Sequence, residues 1–197
     1  MKKTLIFTLL FTMICAICSA KTIFSEDRVF SMDIPDLFRQ VKAQPSEVLR
    51  VEWPDKAYVV FRIEPTKTYD NFLELNDKQK EMLCKYIVAS DTEKLQKLGM
   101  EVSTPSAEFM GKADPNINRP LSVMYFLKKD NIHFSKRSII FLKNHKLYTV
   151  ETCHLVSVDE NYDKLNQVMV KLVTDVMLSV KMNNNNFFEW AADVRAK

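Results

Sequence analysis

Stretches that alternate apolar and polar residues fill most of this chain, and they give way twice to stretches of three- and four-residue spacing. Val29-Phe30-Ser31-Met32-Asp33-Ile34 alternates and stops at Pro35, the pattern of a short half-buried strand. Val48-Leu49-Arg50-Val51-Glu52-Trp53 and Ala57-Tyr58-Val59-Val60-Phe61-Arg62-Ile63 flank Pro54-Asp55. Proline fixes φ there and aspartate bonds to its own backbone, so the pair predicts a hairpin. The second arm is apolar almost throughout, as expected of a central strand buried on both faces. Residues 101–112 and 120–129 predict two more strands, joined by the turn-rich Ala113-Asp114-Pro115-Asn116-Ile117-Asn118. Ser138-Ile139-Ile140-Phe141-Leu142 and Leu147-Tyr148-Thr149-Val150 flank a tight turn at Asn144-His145.

Residues 76–98 take helical spacing, with Asn76 and Gln79 able to cap the start and Gly99 placed to terminate the end. Met82, Leu83, Tyr86 and Ile87 form the expected inward stripe. Ser90-Asp91-Thr92-Glu93 is itself a capping pattern and predicts a break near residue 90. The closing helix, expected over 159–181, opens with Ser157 and Glu160 as a capping box. It carries Leu165, Val168, Met169, Leu172, Val173, Val176, Met177 and Val180 on one face. The fold class expected is therefore α+β: a single antiparallel sheet of about six strands with helices on its faces and a long C-terminal helix.

The first 20 residues read as an export signal. Lys2 and Lys3 precede the apolar run from Leu5 to Ile14, and Cys18-Ser19-Ala20 offers small residues before a cleavage point after Ala20. The run is too short for a spanning helix, and neither Cys15 nor Cys18 follows a small residue as a lipidated cysteine would. The organisation expected is a signal over 1–20, one domain over 21–182, and an Asn-rich break with an aromatic tail over 183–197. The protein would act in the periplasm or be secreted. Cleavage removes two of the four cysteines, leaving Cys84 and Cys153 as a candidate disulfide or as two buried thiols.

Composition narrows the function classes more than it selects one. With 47% hydrophobic and 11% aromatic residues the chain is not intrinsically disordered, and two glycines exclude phosphate-binding glycine loops. A formal charge of +3 offers no nucleic-acid footprint. Lys128, Lys129, Lys136 and Arg137 fall near one end of their strands, while Lys143 and Lys146 flank the opposite turn. Two modest clusters at opposite ends suit solubility better than a phosphate track, although the first could meet anionic headgroups or an acidic partner.

No catalytic or metal motif is readable. His133, His145 and His154 stand on separate elements without ligand spacing, so no metal site is expected. Cys153 and His154 are strand neighbours whose side chains point to opposite faces, which forbids a nucleophile–base pair. Glu101, Glu108, Asp114 and Glu151 are carboxylates whose convergence the spacing does not reveal. No cofactor is expected.

Two stretches near the start, Phe30-Ser31-Met32-Asp33-Ile34-Pro35 and the hairpin through 57–63, combine with a distinctive close. That close runs from Leu147-Tyr148-Thr149-Val150 into the helix ending Val176-Met177-Leu178-Ser179-Val180-Lys181. In pattern and order this resembles the PsbP-like fold family, shared by a photosystem extrinsic subunit and a Ran-binding nuclear import factor. The resemblance covers residues 22–181, with Asp36-Leu37-Phe38 standing where such proteins often carry glycine and tryptophan. It implies an antiparallel sheet with helices on both faces and a non-catalytic module that binds or assembles another protein.

The tail Phe187-Phe188-Glu189-Trp190-Ala191-Ala192-Asp193-Val194 places Phe187, Trp190, Ala191 and Val194 on one helical face. Either this segment folds back on its own domain, or Phe187, Phe188, Trp190 and Val194 dock into a partner. Membrane-surface contact is weakened by the tail's mixed charge. The function expected is an exported, non-enzymatic protein-binding or assembly module of the cell envelope. The alternatives are a carrier of a lipid-like apolar ligand between sheet and helix, with methionines such as Met110 and Met124 in its lining, and a hydrolase with an unadvertised site.

Overall fold

A computed structural model describes residues 20–158 and 163–195. Strands β1 (Ala20–Phe24), β2 (Phe30–Pro35), β3 (Arg39–Gln40), β4 (Glu47–Trp53) and β5 (Ala57–Pro65) come first. A single 3-10 turn (Phe72–Glu74) leads into helix α1 (Asp77–Lys97). Then follow β6 (Glu101–Phe109), β7 (Leu121–Lys129), β8 (Ile132–Lys143), β9 (Lys146–Val156), helix α2 (Asp163–Leu178), β10 (Lys181–Met182), β11 (Asn185–Asn186) and the short helix α3 (Phe187–Ala192).

The α+β class holds, but the strands form two sheets rather than one. Seven make an antiparallel sheet in the order β3-β4-β5-β9-β8-β7-β6, and four make a smaller one in the order β1-β2-β10-β11. The closing helix stops at Leu178, not at residue 181. Lys181 and Met182 turn into a strand that pairs with Ser31 and Phe30. Ser179 fastens this change of direction: its hydroxyl accepts from the Asp33 amide at 3.0 Å and lies 2.7 Å from the Val176 carbonyl. The expected capping partner Glu160 lies outside the described residues, as does nearly all of the 1–20 segment.

With two glycines in the sequence, the tight hairpins turn on other residues. Asp130-Asn131, Asn144-His145 and Asn183-Asn184 each hold two successive residues at positive φ, as a type I′ turn requires. Asn and Asp tolerate that region better than most side chains. The asparagine run thus makes a hairpin and caps a helix, since the Asn186 side chain accepts from the Phe188 and Glu189 amides.

Each face of the large sheet has its own core. On one face Val59, Phe61, Ile139, Phe141, Tyr148 and Val150 meet Phe30, Met32 and Ile34 of the small sheet and Met169, Leu172, Val173, Val176 and Met177 of α2. On the other, Leu121, Val123, Tyr125, Leu127 and Leu142 meet Phe72, Leu75 and Leu95.

The C-terminal tail packs into the first core, which takes Phe187 out of reach of a partner. Phe187 is fully buried, its ring 5.1 Å from Phe61, 5.8 Å from Phe141 and 5.6 Å from Tyr148. Phe188 and Trp190 pack half-buried beside it, while Val194 remains exposed. The backbone of the tail is held too. Lys143, expected as a solubility residue, is buried and donates to the carbonyls of Trp190, at 2.8 Å, and Asp193. Its ammonium sits 4.7 Å from the centre of the Trp190 ring. The Asn118 amide donates to the Ala191 carbonyl at 3.1 Å and the Leu142 carbonyl at 2.8 Å, and its oxygen accepts from the Phe72 amide at 3.1 Å. Leaving such a cluster in water would cost more than ordering six helical residues, which is why the tail folds back.

Cys84 and Cys153 are both free thiols. They stand on different layers, Cys84 half-buried on α1 and Cys153 buried near the middle of the sheet, so the candidate disulfide does not form.

Phe187→Ala removes a ring from the centre of the first core and is expected to cost about 3–5 kcal/mol, read as a lower urea midpoint. Ending the chain after Asn186 should destabilise at least as much, whereas an exposed docking tail would leave the midpoint unchanged.

Candidate ligand cleft

Helix α1 runs unbroken through residues 90–93, because the capping pattern there has no reason to act when the backbone continues into buried Leu95. Its apolar stripe does not reach the sheet evenly. Leu83 and Ile87 are half-buried, but Met82 and Tyr86 are 61% and 71% exposed. The helix is instead tied down near its ends. The Gln79 side-chain amide reaches the Tyr69 hydroxyl at 3.2 Å, and the Tyr125 hydroxyl reaches Asp91 at 3.4 Å. Between these ties Leu83, Cys84 and Ile87 pack against the second core, and beside them, over β8 and β9, lies a cleft of about 840 Å³.

Strand alternation sets what the cleft floor contains. On β8 the cleft-facing side chains run Leu142, Ile140, Ser138, Lys136, and on β9 they run Leu147, Thr149, Glu151. Register pairs Leu142 with Leu147, Ile140 with Thr149 and Ser138 with Glu151, so both strands change from apolar to charged in the same direction. Tyr69, Phe72 and Leu75 wall the apolar end, and Leu83, Tyr86 and Ile87 form the roof.

The polar end is built around a buried carboxylate. Glu151 accepts from the Tyr58 hydroxyl at 3.0 Å and Arg62 Nη1 at 2.9 Å, with Lys136 Nζ at 3.2 Å. Arg62 also reaches Glu47 at 3.2 Å, which Arg50 shares at 3.0 Å while pairing with Glu52 at 2.9 Å. Three cations and three carboxylates balance across this network. Burial on its own would raise the Glu151 carboxyl, but Lys136, Arg62 and Tyr58 outweigh it and hold the group below the ordinary carboxylate range. Burial also pushes the Cys153 thiol up to about 11, helped by the Glu151 charge, so it is not a ready thiolate.

Sequence reasoning placed the residues of this site without bringing them together. Glu151 was one of four scattered carboxylates, and the others remain apart from it: Glu101 pairs with Lys128 at 3.5 Å, and Glu101 and Glu108 are exposed on the edge strand β6. Lys136 is an ion-pair partner here, not a solubility residue. Met110 packs against the first core and Met124 lies outside the cleft lining, where Met82 is the methionine present. Alternation could have found the site, because the period-two readings of β8 and β9 put Lys136 and Glu151 on one face. Among the described residues no cluster of His, Cys, Asp and Glu could hold a metal ion.

His154 points to the opposite face and is buried, with neither ring nitrogen hydrogen-bonded among the described residues. Burial lowers its pKa below the ordinary 6.5.

The assembled architecture resembles that of the Ran-binding protein Mog1p of Saccharomyces cerevisiae. The match has a TM-score of 0.51 at 6% identity and covers 84% of this chain and 96% of that one. The fold is PsbP/Mog1-like. The chain is also similar to cyanobacterial PsbP (CyanoP) from Synechocystis sp. PCC 6803, at 12% identity and a TM-score of 0.48, covering 83% of this chain and 92% of that one. A further similar structure is LpqN, involved in cell envelope biogenesis of Mycobacterium tuberculosis. It matches at 10% identity and a TM-score of 0.44, covering 83% of this chain and 90% of that one. No protein-family model and no curated protein matches the sequence. The expectation of a PsbP-like fold with helices on both sheet faces is therefore met at the level of the fold.

Two measurements check the electrostatics. Glu151→Gln leaves Arg62 and Lys136 without their shared anion and should cost roughly 3 kcal/mol in urea denaturation. The His154 effect has the opposite origin. The unfolded chain takes up a proton near pH 6.5 while the buried ring does not, so stability is full above that pH and falls below it. His154→Leu should flatten the stability profile between about pH 6.5 and 5, and an unchanged slope would refute that assignment.

Proposed function

We propose that this protein is a non-enzymatic binding module that holds the apolar part of a small ligand in the cleft between α1 and the large sheet. It would do so outside the cytoplasm, after export on the 1–20 segment. One observation carries the reading: a cleft of about 840 Å³, open between two helix anchors and walled by Tyr69, Phe72, Leu75, Leu83, Ile87 and Leu147. That volume falls in the range of roughly 300–1,000 Å³ typical of ligand sites, which are likewise mostly apolar with a few placed polar groups.

The support for a partner-docking tail is correspondingly reduced, since Phe187 is used by the protein's own core. Catalysis finds little support in the cleft. Glu151 is committed to three donors and Cys153 is held as a thiol, so neither offers an activated base or nucleophile.

The neutral dye N-phenyl-1-naphthylamine should bind the purified protein saturably, with enhanced fluorescence. Thr149→Trp projects a large ring into the open space from a strand position that favours it, and should weaken the dye about tenfold or more while unfolding stays cooperative. Absence of saturable binding to the unmodified protein would overturn the reading.

A further inference from the structure

The cleft is not uniformly apolar, and its polarity changes along one axis. From Leu142 to Lys136 the floor covers six residues of strand, about 20 Å at an antiparallel rise of roughly 3.4 Å per residue. Over that distance β8 passes from Leu142 and Ile140 through Ser138 to Lys136. β9 passes in register from Leu147 through Thr149 to Glu151. On neighbouring β5, Arg62 lies across from Thr149 and joins the same end, while Glu64 lies across from Leu147 and sets a carboxylate beside the opposite end, where an anionic head would be repelled. A ligand that fills this space is therefore oriented: an apolar chain against Phe72, Leu75 and Leu147, and a polar head beside Lys136.

Donor and acceptor capacity then decides the kind of head. The Glu151 oxygens already receive Tyr58, Arg62 and Lys136. The Asp91 carboxylate at this end receives the Tyr125 hydroxyl at 3.4 Å and lies 3.8 Å from Lys94 Nζ, so the acceptors here are already engaged and two lysines line the cleft. Lys136 carries three N–H donors and spends one direction on Glu151, at 3.2 Å, while its side chain keeps 13% of its surface open where it lines the cleft. The hydroxyls of Ser138 and Thr149 add two more donors on the approach to it. The buried network is charge-balanced, so a second oxyanion is held through the N–H directions of Lys136 that Glu151 does not occupy and not through a net positive field.

Resting on the cleft reading above, we propose that the ligand is a single-chain amphiphile whose anionic oxyacid head, carboxylate or phosphate, is bound by Lys136 with Ser138 and Thr149. The apolar chain lies along Ile140, Leu142 and Leu147 under α1, with the head at the Asp91 end of the helix.

Competition against bound N-phenyl-1-naphthylamine tests this on the purified protein. Hexadecanoate and hexadecyl phosphate are compared with methyl hexadecanoate and hexadecanol, all below their aggregation limits. One or both anions should displace the dye about tenfold better than the ester and alcohol, a single well-placed charged hydrogen bond being worth about that ratio. Preference between the two anions then separates a fatty acid from a phosphorylated lipid. In Lys136→Gln the advantage, measured against that variant's own dye affinity, should fall below about threefold, and Lys136→Arg should retain it. Equal competition by acid, ester and alcohol in the unmodified protein would overturn the head-group assignment and leave the cleft reading standing. An advantage that survives Lys136→Gln in a folded variant would overturn the role of Lys136. Failure of the dye to bind at all would overturn both.

Discussion

The register between β8 and β9 is the constraint on which everything else in this molecule depends. Side chains on a strand alternate strictly, so a slip of one residue exchanges the two faces. In the observed register Ile139, Phe141, Tyr148 and Val150 enter the first core, while Ser138, Lys136, Thr149 and Glu151 face the cleft. Shifting one strand by one residue against the other would send either Lys136 or Glu151 into the aromatic core without the other beside it, and would expose Phe141 or Val150 in exchange. Burying a carboxylate or an ammonium unpaired costs far more than any packing gain could offset. The ion pair between Glu151 and Lys136, bridging these two strands, therefore does more for uniqueness than its net contribution to stability suggests.

That same hairpin carries the closure of the C-terminus. Lys143 ends β8, and its ammonium donates to the tail carbonyls of Trp190 and Asp193. Asn118, on the approach to β7, joins three segments at once: the end of β8, the last turn of α3 and the start of the 3-10 turn at Phe72. Phe72 is also a wall of the cleft. The node thus places the apolar end of the cleft against a point fixed by the tail, although Phe187 and the cleft lie on opposite faces of the sheet. The two cores are bound through backbone carbonyls as well as through the strands between them.

Much of this was legible in the sequence, and the parts that were not share a physical cause. The hairpins at Pro54-Asp55 and Asn144-His145, the alternation of β2 and the amphipathic face of α2 all follow from local spacing. Local spacing also gave the strand faces of Cys153 and His154. What it does not encode is which surfaces meet. The small sheet arises because β10 pairs with β2, whose residues lie nearly the whole chain away, and no periodicity announces that pairing. The stripe Met82, Leu83, Tyr86, Ile87 was read as core because apolar residues at helical spacing normally are. Here the sheet beneath them turns polar, and two of the four stay exposed. Lys136 and Lys143 were read as surface charges because nothing in a single sequence says that a carboxylate or a helix terminus will arrive beside them.

The shape of α1 explains why a cleft exists at all. A helix that faces a continuous apolar surface settles onto it and excludes solvent. The sheet under α1 offers such a surface at Leu121, Val123, Tyr125 and Leu127, toward the edge strand β6, and at Leu142 on β8, and the helix is seated on it through Leu95. Across β8 and β9 the floor carries Ser138, Thr149 and the Glu151 network, and packing leucines onto them would strand hydroxyls and charges without water. The helix therefore bridges that region, held by Gln79 at one end and Asp91 at the other. A purely structural solution would have made those floor residues apolar and closed the gap. Retaining a graded polar floor beneath an apolar roof sacrifices packing that the fold could otherwise have gained, and the proposed ligand, apolar at one end and an acceptor at the other, would recover it on binding.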